Sequence, residues 1–157
     1  MRNVYSAFAL VLMLTVTAVG STSCATNTKP DVAVAAYTTD LVKAATELQR
    51  GVTQLTEAKL LPVATAQTVT DQIEIFGQKG DEVSVALKAY HAATTPLEKQ
   101  SKAALVQALI TQLNGPLAKI LGITFPEGTV QRITKLVGTT MSVVSAVQAE
   151  VAKGLGS

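Results

Sequence analysis

The sequence is poor in the residues that carry most enzyme chemistry. It has one cysteine, one histidine and no tryptophan in 157 residues. A catalytic triad needs a histidine beside a nucleophile and an orienting acid. The single histidine, His91, follows Tyr90 near a predicted helix end, where the helix dipole favours it. We therefore interpret His91 as a helix-end residue, and the sequence predicts no catalytic residue and no enzyme activity.

Motifs for metals, phosphates and nucleotides are also missing. The sequence contains no E-x-x-H, H-E-x-x-H or C-x-x-C, no P-loop and no G-x-G-x-x-G. Two acid pairs, Asp71 with Glu74 and Asp81 with Glu82, could do acid–base work only in a buried site. Their polar and lysine-containing surroundings indicate a solvated surface instead. We expect neither a metal nor a cofactor.

Charge and aromatic content are low as well. The 13 Lys+Arg against 11 Asp+Glu, with a net charge of +2, provide no basic field for nucleic acid. Three tyrosines and three phenylalanines disfavour a sugar-binding or base-stacking surface. A lone cysteine allows no disulfide within one copy. Stability must therefore come from helix packing or self-association, and we expect a protein partner or a homo-oligomer.

The beginning of the chain has the composition of an export signal. Arg2 precedes an apolar run over residues 7–19 and a stretch of small residues over 20–23. This order predicts a secretory signal peptide over residues 1–23. The apolar run is short of the roughly 20 residues that a spanning helix needs.

Cys24 follows the small residues directly. This arrangement resembles the signal of bacterial lipoproteins, in which the cysteine receives a diacylglycerol on its sulfur and becomes the new N-terminus. Ser21 and Ser23 occupy places that usually hold leucine and alanine or glycine. The resemblance implies a lipid-modified Cys24 and, because Ala25 follows it, the periplasmic face of the outer membrane in a host with two membranes. The alternative is cleavage by the ordinary signal peptidase after Ala25.

After a tether over residues 24–29, residues 30–157 predict one all-α domain. Thr28 and Asp31 mark a helix start near Pro30, and the helix should end near Lys59. The second helix should start between residues 62 and 65 and continue past Gly77. Apolar residues in these two helices recur at helical spacing: Val34, Leu41, Leu48 and Leu55, then Val69, Ile73, Phe76, Gly80, Val83, Leu87 and Tyr90.

The third helix should start at Thr95-Pro96-Leu97-Glu98, which has the pattern of a capping box. Its expected inner side comprises Leu97, Ala104, Leu105, Ala108, Leu109, Gln112 and Leu113. Residues 114–116 should end or kink it, with a short continuation over 117–121 that stops at Gly122. A T-x-x-E start at Thr124 predicts a fourth helix over 127–153, whose inner residues are Val130, Ile133, Val137, Thr140, Met141, Val144, Val147 and Val151.

Short connections favour an up-down-up-down four-helix bundle. The leading functional hypothesis is a non-enzymatic, membrane-anchored envelope lipoprotein that acts as a small scaffold or interaction module. The second is a soluble periplasmic or secreted protein that binds an apolar ligand in a cavity left by small residues; the same residues could instead allow close helix packing. They are Ala44, Gly77, Gly80, Ala104 and Ala108. A third is a membrane-active protein that inserts its last helix, which has no charge over residues 136–149.

Overall fold

Helices make up nearly all of the chain that the structure describes. The computed structural model describes residues 30–155. Its helices are α1 (Pro30–Glu57), α2 (Val63–Ala92), α3 (Pro96–Gln112), α4 (Asn114–Leu121) and α5 (Glu127–Leu155). No strand occurs in these residues, so the predicted all-α class is confirmed for them. The signal peptide over residues 1–23, Cys24 and the tether to residue 29 lie outside the described residues.

Threonine is compatible with these helices because its hydroxyl bonds to the preceding turn. Thr140, which is 2% exposed, donates from Oγ1 to the Leu136 carbonyl at 3.0 Å. Exposed threonines make the same bond to the residue four places earlier, among them Thr46, Thr53, Thr68, Thr111 and Thr139. A hydroxyl satisfied by its own helix costs little to bury. Thr140 therefore packs in the core as the sequence predicts.

Helix α1 ends in a tight turn built on Lys59. Lys59 has a φ of 58°, the only positive φ among the described non-glycine residues. Its N–H donates to the Thr56 carbonyl at 3.0 Å, and the Leu60 N–H donates to the Leu55 carbonyl at 2.9 Å. These two bonds form a Schellman motif, a helix ending that normally places glycine in the left-handed position. The turn closes α1 near the predicted residue and directs the chain into α2.

Helices α1 and α2 run antiparallel. Thr38 Oγ1 donates to Ser84 Oγ at 3.2 Å, and Gln49 Nε2 donates to Thr70 Oγ1 at 3.3 Å. Residues with higher numbers in α1 thus contact residues with lower numbers in α2. Helix α2 is continuous through Gly77, as predicted, and its seam is buried at Val69, Ile73, Phe76, Val83 and Leu87.

The two glycines of α2 have different surroundings. A Cβ on Gly80 would lie 4.0 Å from Leu41 Cδ1, so Gly80 faces α1 at an ordinary packing distance. A Cβ on Gly77 would meet no atom within 4 Å, because this position is exposed. Gly80 therefore keeps the seam in register, while Gly77 makes no close helix contact.

Helix α3 starts where the sequence predicts it but turns a different face inward. Thr95 Oγ1 accepts from the Glu98 N–H, and the Glu98 carboxylate accepts from the Thr95 N–H, both at 3.3 Å. The predicted inner side is wrong except at Leu113, which is buried, and Leu109, which is half-buried; Leu97, Ala104, Leu105, Ala108 and Gln112 are exposed. The buried residues are Val106, Ile110 and Leu113. Apolar residues occur on more than one side of this helix, so spacing alone does not identify the inner face.

The chain breaks at Leu113 and continues as α4. Pro116 has no N–H to donate to the preceding turn, and it occupies the first turn of α4, where unpaired N–H groups are normal. Gly122 follows the last residue of α4 as predicted, although its φ of −79° is an ordinary right-handed value. Helix α5 begins at Glu127 as predicted.

Helix α5 buries most of its predicted seam. Ile133, Val137 and Val144 are fully buried, whereas Val130 is 42% exposed, so its predicted inner position is wrong. Val130 lies on the outer side of the first turns of α5, where the neighbouring Thr129 is buried at 1% exposure instead. Helix α1 packs on α2 and α5, α2 also packs on α3 and α4, and α5 packs on α3 and α4. Their shared core includes Leu48, Val52, Phe76, Ile110, Leu117, Ile120, Ile133 and Val137.

Candidate functional site

An open groove of about 650 Å³ lies between α1 and α5. It is lined mainly by aliphatic and small side chains, and charged residues stand at its rim. The apolar lining includes Ala44, Leu48, Gly51, Leu55, Leu136, Val143, Ala146 and Val147. Ligand sites in proteins have volumes of this order.

The groove exists because small residues on α1 and α5 replace larger ones. A Cβ at Gly51 would overlap with the Leu136 Cδ1 atom. Gly51 therefore lets the Leu136 side chain lie directly against the α1 backbone. Ala44 and Ala146 leave space along the rest of the groove. The sequence shows Gly51 only as a weak point in a helix, and its packing role depends on a residue in a distant helix.

The groove has a direction because α1 and α5 run antiparallel. Gly51 meets Leu136, and the lining also includes Tyr37 near the start of α1 and Val147 late in α5. If the helices were parallel, Val147 would lie opposite the loop after α1. The lined part of α1, from Tyr37 to Leu55, is about 27 Å long at 1.5 Å per residue.

Charges at the rim are distributed unevenly along the groove. Arg132 and Lys135 of α5 stand at the end that contains Leu55, and both are exposed. Among the side chains that the structure describes, neither forms an ion pair. The charged residues of α1 at the rim, Asp40, Lys43 and Glu47, stand further toward Tyr37. Glu47 lies 3.8 Å from Arg50.

A second feature is a set of exposed apolar side chains at one end of the molecule. Because α2 and α5 both run antiparallel to α1, the connections over residues 58–62 and 122–126 lie at the same end, which we call the distal end. Large exposed hydrophobic residues beside these connections are Leu60, Val63, Leu121 and Val130, and Val63 is 74% exposed. Exposed apolar groups gathered in one region are typical of interaction surfaces.

The polar candidates do not converge on a reaction site. Asp71, Glu74, Asp81 and Glu82 are exposed, as the sequence predicts. Asp71 accepts from Gln67 Nε2 at 2.8 Å. Glu82 accepts from Lys79 Nζ at 2.7 and 2.9 Å.

His91 lies in the last turn of α2, as predicted, and it is half-buried. Its ring meets the Tyr90 ring edge-on at 5.2 Å. Within the described ranges, no group of three or more His, Cys, Asp or Glu side chains is arranged to hold a metal ion. None of the described helices combines the length and the apolar character that are needed to cross a bilayer.

The small residues that were predicted to leave a cavity lie in different surroundings. Ala44 lines the groove, and Gly80 packs toward Leu41. Gly77, Ala104 and Ala108 are exposed and line neither the groove nor the core, so the prediction that they leave a cavity is wrong. Spacing identified residues that could leave space, but only the helix arrangement determines which of them face each other. Cys24, the predicted lipidation site, lies outside the described residues.

Comparison with known proteins yields no relative. No protein-family model matches the chain, and neither the curated proteins nor the solved structures contain a significant match.

Proposed function

We propose that the protein is a non-enzymatic envelope lipoprotein, held to a membrane through acyl chains on Cys24 and acting as a helical interaction module. Residues 1–23 serve as the signal peptide, and residues 30–157 form an up-down-up-down bundle. In a host with two membranes the anchor is in the outer membrane and the bundle faces the periplasm. Each attached chain contributes about 0.8 kcal/mol per buried CH₂, and two or more chains give stable anchoring.

The exposed apolar distal end is the observation that carries this proposal. Helix α1 starts at Pro30, six positions after Cys24, and the distal end lies beyond the other end of α1. A 28-residue helix is about 42 Å long. In this proposal α1 points away from the anchored end, and the apolar end is available to a protein partner or a second copy of the chain.

Metabolic labelling tests the anchor. Cells expressing the full chain receive a palmitate analogue, and labelling is compared with a Cys24→Ala variant. The proposal predicts a labelled protein in the membrane fraction and no label on the variant. Equal labelling of the two proteins would remove the anchor.

Crosslinking in isolated envelopes tests the interaction module. Val63→Gln is compared with Val85→Gln, because Val85 is also an exposed valine of α2, at 66%, and lies away from the distal end. We expect a discrete crosslinked adduct that Val63→Gln weakens and Val85→Gln preserves. Equal loss in both variants would contradict docking at the distal end.

The second candidate function is binding of an apolar ligand, and the α1–α5 groove favours it. The groove is mainly apolar and its volume suits a small molecule. This function requires no particular anchor and is compatible with a soluble or a membrane-held protein. Its test is ligand binding that a groove-filling substitution removes.

A further inference from the structure

We propose that the α1–α5 groove binds a fatty acid, with its carboxylate between Arg132 and Lys135 and its chain extended toward Tyr37. The inference rests on the second candidate function, apolar-ligand binding, and is independent of the anchor on Cys24.

The shape of the groove suits a single extended hydrocarbon chain. It follows α1 for about 27 Å, between two helices; Ala44 and Ala146 leave space along it, and the Leu136 side chain packs against Gly51 within it. Leu48, Leu136 and Val143 offer aliphatic contacts along this path. A hydrocarbon chain gains by leaving water for such a surface, by about 0.8 kcal/mol for each fully buried CH₂.

The rim charges select an anionic head and fix its position. Arg132 and Lys135 lie three residues apart on α5, near the end of the groove that contains Leu55, without an ion pair among the described side chains. A guanidinium can hold a carboxylate through two parallel hydrogen bonds. Further along the groove Lys43 stands between Asp40 and Glu47, and the net charge there is negative, which disfavours an anion. The head therefore belongs at the Leu55 end and the hydrocarbon tail at the Tyr37 end.

The test uses photocrosslinking of the purified full-length protein, so its outcome does not depend on the anchor at Cys24. One probe is a photoreactive C16 fatty acid, and its matched control is the corresponding fatty alcohol, which has the same chain without charge. Mass spectrometry maps the modified peptides. We expect modification of the groove-lining parts of α1 and α5, with the acid labelling about fivefold more than the alcohol, a ratio typical of exposed charge contacts. High salt should reduce this ratio through screening.

Two pairs of variants connect the labelling to the groove. Arg132→Gln/Lys135→Gln should abolish the preference for the acid, while Lys88→Gln/Lys99→Gln, which removes two lysines that do not line the groove, should keep it. Ala146→Trp should fill the groove and lower labelling by both probes, while Ala149→Trp, an exposed alanine of α5 outside the groove lining, should not. Circular dichroism of each variant confirms that its helix content is unchanged.

Each result supports or overturns the inference. Absence of groove labelling, or equal labelling in Ala146→Trp and Ala149→Trp, overturns both the fatty-acid site and the apolar-ligand function. Groove labelling that is equal for acid and alcohol overturns the fatty-acid assignment and leaves the apolar-ligand function standing.

Discussion

Single residues account for two unusual features of α1, the turn at its end and the glycine in its interior. Lys59 adopts a left-handed conformation that costs a residue with a Cβ about 1–2 kcal/mol. Gly51 leaves the space that the Leu136 side chain occupies. Each feature leads to a measurable effect on stability.

Replacing Lys59 with glycine should stabilise the protein. Glycine adopts a positive φ without steric cost, although it also gains freedom in the unfolded chain. We expect the free energy of unfolding to rise by about 0.5–1 kcal/mol, measured by urea denaturation. Lys59→Ala is the matched control, since it removes the charge and keeps the Cβ. An equal rise in both variants would show that charge, not backbone conformation, is the cause.

Gly51→Ala should be coupled to Leu136. Alanine improves the helix propensity of α1 by about 1 kcal/mol, but its Cβ displaces the Leu136 side chain. In the natural background we expect the two effects to cancel nearly. In a Leu136→Ala background the gain of about 1 kcal/mol should appear. A double-mutant cycle by chemical denaturation measures this coupling, and additive effects would contradict the contact.

At the scale of the helices, local sequence signals predict where a helix begins and ends better than which side of it is buried. The box at Thr95 and Glu98, the prolines and Gly122 place most helix ends correctly, because these signals act within a single turn. The last helix also starts at Glu127 as predicted, three residues after Thr124.

The inner face of a helix depends on what packs against it. Sequence spacing identified the buried seam of α2 and, in α1, the seam at Leu41, Leu48 and Leu55. The predicted seam position Val34 lies outside the side chains that the structure describes. Helix α3 has a second apolar side that includes Leu97 and Leu105. The neighbouring helices pack on the other side and bury Val106 and Ile110. The groove was beyond prediction for the same reason, since it depends on which residues of α1 meet α5.

Alanine substitutions on the two sides of α3 test the observed face. Ile110 is 1% exposed and Leu105 is 46% exposed. Ile110→Ala should lower the free energy of unfolding by about 2–4 kcal/mol, because it leaves a cavity in the core. Leu105→Ala should lower it by less than about 1 kcal/mol. The reverse ranking in urea denaturation would restore the face predicted from the sequence.

The capping box should make the start of α3 sensitive to acid. Hydrogen bonds from Thr95, with a smaller contribution from Lys102, hold the pKa of the Glu98 carboxyl below its usual value. A carboxylate with a lowered pKa stabilises the folded state above its unfolded pKa, and this contribution disappears as the pH falls through the folded value. The wild type should therefore be more stable than Glu98→Gln at pH 7, and the difference should shrink below about pH 4.

Thr95→Ala provides the control for this titration. It removes the hydroxyl acceptor of the cap and should cost about 1 kcal/mol at neutral pH. Urea denaturation from pH 3 to pH 7 measures both variants. A difference between wild type and Glu98→Gln that stays constant over this range would contradict an ionised Glu98 in the cap.

At the scale of the whole molecule, the account combines an anchor at one end with an apolar surface at the other. The spacing of apolar residues predicted the helical class, and the carboxylates of α2 are exposed as predicted. The distal end could not be predicted, because Leu60, Val63, Leu121 and Val130 lie at the same end of the molecule only through the antiparallel packing of α1 with α2 and α5. The sequence pattern predicted an inner position for Val130, which is exposed. The anchor itself rests on Cys24 and the residues before it.

The intact mass of the protein purified from cell envelopes tests the central claim most directly. The account predicts a chain that starts at Cys24 and carries the added mass of a diacylglycerol with its acyl groups on that residue. It also predicts that Cys24→Ala never gives this product. A chain that retains Met1, or an unmodified chain that starts at Thr26, would contradict the account.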